Sequence, residues 1–187
     1  MVEHILDVSR RIVSRYGHLT GLDNAGQLEF TVELVEIWED IEYRHAPFLS
    51  RVVATVVSES EFRQGLWGFE ALSTHTARHL NNVCELIDDD QSVRLSPPDI
   101  SASFNIIPIV DYYSGLLDLN PALEERLVET FISILLHITV CYRPILNGIV
   151  ECSLSDSGFT RGLAAIREFS RDTASLFNTA KDILSRN

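Results

Sequence analysis

Two histidines, His75 and His79 in His75-Thr76-Ala77-Arg78-His79, are the residues of this chain best spaced for chemistry. On an α-helix a separation of four stacks both imidazoles on one face, where they can share a metal ion. Such a site needs further ligands from a neighbouring helix. An earlier segment offers Glu39, Glu42 and His45, and Glu42-Tyr43-Arg44-His45 has the Glu-x-x-His spacing of di-iron helical bundles. Iron, manganese or zinc would suit that donor set. Two features weigh against it. Di-iron bundles carry the Glu-x-x-His pair twice, whereas it occurs once here, and no glutamate adjoins His75 as in His-Glu-x-x-His. The plainer alternative is a pair of border histidines between an apolar stripe and solvent. His137, alone in an apolar segment, reads as a packed ring hydrogen-bonded to an oxygen.

Other chemistry finds little support. The sequence holds no Gly-x-Ser-x-Gly elbow, no Ser-x-x-Lys, no dinucleotide-type glycine turn and no Walker-type phosphate loop. Carboxylates at Glu29, Glu33, Glu36 and Asp40 recur at helical spacing beside the apolar series Phe30, Leu34, Ile37 and Ile41. Such a stripe reads as the outer face of an amphipathic helix, able to steer a partner with a basic surface. Trp67, Tyr112, Tyr113 and Phe159 supply candidate aromatic anchors, although most aromatics belong in a core.

The charge balance restricts partners. With 27 acids against 15 bases the net charge is -12, which repels a phosphate backbone and an anionic membrane, so direct nucleic-acid binding is not expected. Cys84, Cys141 and Cys152 form an odd, widely spaced set with no CxxC, as expected of reduced thiols in the cytoplasm. The opening residues interrupt any signal-like apolar run with Glu3, His4 and Asp7. The longest apolar run, Phe131 to Tyr142, is too short for a membrane span.

Helical periodicity extends over nearly the whole chain. Helices are expected at about 2–16, 27–44, 48–58, 59–87, from near Pro108, 121–142 and 157–185. Gly17 reads as a left-handed stop to the first, and Pro47 and Pro144 as breaks. Asn120-Pro121 followed by Glu124 and Glu125 is a helix start signal. A loop over 88–103, with Asp88-Asp89-Asp90 and Pro97-Pro98, forms a crossover rather than a linker. No internal repeat is evident. The last helix runs to the end without a stop signal, consistent with truncation after residue 187.

The expected architecture is therefore all-α: one domain, 1–187, a bundle of five to seven helices with one longer mid-chain crossover. The expected function is a non-catalytic interaction module (adaptor, regulator or terminal signalling domain) that binds a protein partner and is compatible with homo-oligomerisation. One alternative is a metal-dependent helical-bundle enzyme or metal sensor built on His75, His79, Glu42 and His45. A third is an acidic decoy that mimics nucleic acid.

Overall fold

The computed structural model describes residues 2–87 and 105–186, so the expected crossover at 88–103 lies outside the described residues. Among the described residues six helices form an all-α bundle: α1 (Val2–Tyr16), α2 (residues 24–53), α3 (Glu59–Ile87), α4 (Ile107–Tyr113), α5 (Pro121–Val150) and α6 (Asp156–Leu184). Side-chain caps fix several starts. Asp23, Asn120 and Ser155 accept from the backbone N–H groups of Gly26, Leu123 and Gly158. Ser58 and Glu61 form a reciprocal capping box before α3. The Ser58 hydrogen bonds and the Arg51 guanidinium hold the Glu61 carboxyl at about 2, well below the usual carboxylate range.

Neither Pro47 nor Pro144 ends a helix. Each follows a π-helical turn, Ile41–His45 in α2 and His137–Tyr142 in α5, and an α-helical segment of 8 residues continues beyond. At each junction the backbone N–H just before the proline reaches five residues back, from Ala46 to Ile41 and from Arg143 to Ile138. The widened turn absorbs the proline ring, which would otherwise strike the carbonyl four residues earlier. Gly17 also departs from expectation. It opens a 3-10 turn and is buried because the Gln27 side chain lies 2.3 Å from where a Cβ would stand. The left-handed glycine of that loop is Gly21, at φ 75°.

The two halves of the chain repeat one another, contrary to the sequence reading. Pro47 and Pro144, Ser58 and Ser155, Phe62 and Phe159, Gly65 and Gly162, Ser73 and Ser170, Thr76 and Thr173, and Ala77 and Ala174 are all pairs separated by 97 positions. The same offset carries residues 10–16 of α1 onto α4, α2 onto α5 and α3 onto α6. Both long helices, α3 and α6, have 29 residues. Even the unusual backbone recurs: Thr55 and Cys152 are left-handed at φ 53° and 55°, and Gly21 and Asp118 at 75° and 51°.

The repeats embrace reciprocally. Tyr16 of the first stacks on Phe159 of the second (centroids 4.4 Å), and Tyr113 of the second stacks on Phe62 of the first (4.1 Å). The Tyr16 hydroxyl donates to the Leu154 carbonyl at 2.9 Å, and that of Tyr113 donates to the Val52 carbonyl at 3.2 Å. Helices α3 and α6 make the most extensive contact and run antiparallel. The Ser185 hydroxyl meets Glu70 at one end and the Cys84 thiol meets the Arg167 carbonyl at the other. The buried Ala77 and Ala174 sit between those ends, where small side chains let the two helices approach. By length and composition alone α5 would reach across a bilayer, further than the apolar run counted from sequence suggests. In the fold its Leu127, Phe131, Ile134 and Ile138 are buried in the core.

Candidate metal centre

Helices α2 and α3 pack side by side, and their junction carries a dense group of titratable residues. On α2 the residues are Glu33, Glu36 and Asp40, spaced three and four apart on one face; on α3 they are His75 and His79. The acidic stripe expected to face solvent therefore faces α3. Asp40 is fully buried, the Glu33 side chain is only 15% exposed, and Glu29 is the one member that is exposed.

The two imidazoles point their Nε2 atoms at one another, 3.1 Å apart. Each Nδ1 is tied to a carboxylate: that of His75 to Asp40 Oδ2 at 3.1 Å, and that of His79 to Glu33 Oε2. Asp40 also accepts from the Thr76 hydroxyl at 2.7 Å and from Arg44 Nη1 at 2.7 Å. Glu33 also accepts from Asn82 at 3.3 Å. Burial pushes the Glu33 carboxyl up, but the hydrogen bond and charge of His79, with Asn82 and Arg78 assisting, outweigh it and hold Glu33 below its ordinary value. Glu36 completes the group, with one donor atom each from Glu36, His75 and His79 all within 4.8 Å of one another.

Proton bookkeeping gives this geometry its meaning. A carboxylate oxygen can only accept, so each Nδ1 carries a proton, and Nε2 is the ring atom left to share a second proton or bind an ion. Two lone pairs facing at 3.1 Å would repel, and a shared proton or a metal ion is what relieves such repulsion. Two nitrogens each about 2.0–2.1 Å from one ion stand roughly 2.9 Å apart at a right angle and roughly 3.4 Å apart at the tetrahedral angle. The observed separation falls inside that range. A carboxylate on the far nitrogen is also the usual second-layer partner of a metal-bound histidine, because it fixes the tautomer and strengthens the donor.

Of the residues first expected to ligate, His75 and His79 come together, whereas Glu42 and His45 do not join them. Glu42 is claimed by Arg143, which donates through Nε at 2.6 Å and Nη2 at 2.8 Å. His45 lies inside the π turn, 2% exposed, and its Nε2 contacts the Thr76 hydroxyl at 2.8 Å. Burial, modified by Asp40, Arg44 and His75, drives its pKa down to about 4, so it is a neutral donor at physiological pH. The third member of the group is Glu36, which the sequence reading placed on an outer stripe. The signal available was the phase of α2: Glu33, Glu36 and Asp40 present the same three-four spacing as a face that meets a neighbour.

The second repeat supplies an internal comparison. At the matching positions it has Thr130 for Glu33, Ser133 for Glu36, His137 for Asp40, Asp172 for His75 and Leu176 for His79. The threonine is retained, and His137 Nδ1 contacts Thr173 at 2.9 Å. Burial lowers the His137 pKa, with Asp172 opposing. The fold thus closes the same helix junction without an imidazole pair or facing glutamates. Packing alone does not demand the cluster in the first repeat. Comparison with family models, with curated proteins and with solved structures found no match to this chain.

Proposed function

We propose that this protein binds one divalent transition-metal ion between α2 and α3, with His75 Nε2, His79 Nε2 and a Glu36 carboxylate oxygen as ligands. The observation that carries the reading is the pair of Nε2 atoms 3.1 Å apart, each on a ring whose other nitrogen is anchored to a carboxylate. Charge agrees with it. The carboxylates of Glu33, Glu36 and Asp40 against the Arg44 guanidinium leave two negative charges, which one divalent ion neutralises. Two imidazoles and a carboxylate are the donor set of catalytic zinc sites and of non-haem iron(II) sites. Three protein ligands leave coordination positions for water or substrate, and the His75 side chain is 35% exposed, so the centre is open rather than sealed. Such a centre suits a metal-dependent enzyme or a sensor better than a structural clip. An interaction module steered by the acidic stripe is less well supported, because most of that stripe is turned inward.

Elemental analysis of protein purified without chelator, followed by equilibrium dialysis of stripped protein against zinc and against iron(II) without oxygen, tests the reading. One equivalent of ion, lost in both His75→Ala and Glu36→Ala, is the expected result. Stripped protein that takes up neither ion at micromolar concentration contradicts it.

A further inference from the structure

A cavity of about 270 Å³ opens beside the cluster, on the same side of α3 and one to two turns toward its N-terminus. Phe48, packed over Gly65, gives it an apolar wall with Phe69 and Leu72, and Gly68 gives it its space. A Cβ at Gly68 would meet nothing within 4 Å, so the void lies directly over that residue. The second repeat has larger side chains at two of these places, Ala165 for Gly68 and Phe169 for Leu72. At three other lining positions the second repeat has the smaller residue, Cys141 for Arg44, Ile145 for Phe48 and Ile166 for Phe69, so the guanidinium and the aromatic wall belong to the first repeat alone.

Its polar wall is the other half of the case. Arg44 and His45 both line the cavity. Arg44 Nη1 donates to Asp40, which holds His75, and His45 contacts Thr76, which donates to the same Asp40. Leu72 precedes His75 by three residues, so the two are neighbours on the surface of α3. Leu72, the lining residue of α3 nearest the cluster, thus stands one helical turn before His75. Arg44 is 35% exposed and commits Nη1 to Asp40, which leaves part of its five-donor fork for a ligand. An apolar chamber with one guanidinium at its rim is built for an apolar tail carrying a single anionic head.

The geometry points to a binding site for a small apolar carboxylate, its hydrocarbon end between Phe48, Phe69 and Leu72 and its carboxylate on Arg44, within reach of the open positions of the metal. At roughly 30 Å³ per water-sized group the chamber holds about nine heavy atoms, the size of a medium-chain fatty acid or a phenylalkanoate. The Arg44 contact stands without the metal. Only the added reach to the ion rests on the metal reading above.

Calorimetric titration of zinc-loaded and of chelator-stripped protein with octanoate, octan-1-ol and octylamine is the test. Octanoate should bind both forms, and more tightly with zinc; the alcohol and the amine should bind more weakly by roughly 10- to 100-fold, the worth of a hydrogen bond to a charged group. Gly68→Leu fills the chamber without a backbone clash and suits a helix interior, so it should fold, keep its zinc and lose octanoate. Arg44→Gln should bring octanoate and octanol to similar affinities. Octanoate binding that survives Gly68→Leu, or equal binding of octanoate and octanol by the wild type, overturns the proposal. Octanoate binding that is lost in Gly68→Leu in a protein that takes up no zinc upholds the chamber and refutes only the metal reading.

Discussion

Replacing His45 with phenylalanine should remove a defined part of the acid sensitivity of this fold. The ring sits against Phe69 and Phe177, with centroids at 5.3 and 4.6 Å, so a phenyl group fills the same space. Its folded pKa is about 4 against an ordinary 6.5, because burial disfavours the cation. The unfolded chain therefore binds a proton that the folded chain refuses. Stability from this group is intact above pH 6.5 and is lost as pH falls from 6.5 toward 4. At about 1.4 kcal/mol per pKa unit this shift sets a ceiling of about 3 kcal/mol, most of which is lost between pH 7 and pH 4. Urea unfolding of stripped protein at pH 7, 6, 5 and 4 reads this directly. The variant should start about 1 kcal/mol lower at pH 7, having lost the Thr76 hydrogen bond, and then fall less steeply, so that the two curves cross. Carboxylates elsewhere steepen both curves alike and cancel in the difference. Parallel curves would refute the burial argument.

Other expectations follow from the same contacts. Glu33→Gln leaves the ligands in place but weakens the partner of His79, so zinc affinity should fall roughly 10- to 100-fold in a competition assay with a chromophoric chelator. His79→Leu installs the residue that the second repeat carries at Leu176; it should fold cooperatively by circular dichroism yet bind no ion. Gly65→Ala should destabilise by about 1–3 kcal/mol, since its Cβ would lie 2.1 Å from the Phe48 ring. Gly68→Ala, with nothing in reach, should instead stabilise by up to about 1 kcal/mol, and thermal unfolding compares the two.

The helices themselves were legible because apolar residues mark the buried faces. The boundaries of α3 were readable from Phe62, Leu66, Phe69, Leu80 and Val83, and the start of α5 from the Asn120-Pro121 signal. The prolines misled, because a π turn is a backbone device with no side-chain signature, and it lets a helix pass Pro47 and Pro144. The same turn re-aims the residues after Asp40, which is why Glu42 and His45 do not face His75. Glu36 was hidden for a different reason. An acidic stripe beside an apolar one looks solvated until the histidines opposite are known to lie on the next helix. The repeat was present in Ser58-x-Ser60-x-Phe62-x-x-Gly65-Leu66 and Ser155-x-Ser157-x-Phe159-x-x-Gly162-Leu163, and a comparison of the chain with itself would have revealed it.

The most direct test is nitrogen-detected NMR of the histidine rings during zinc titration of stripped protein. Both His75 and His79 should shift at Nε2 together, saturate at one equivalent and keep their protons on Nδ1. Rings that stay unchanged at saturating zinc, or an Nε2–H···Nε2 hydrogen bond that persists between them, would mean that a proton and not a metal ion occupies the gap.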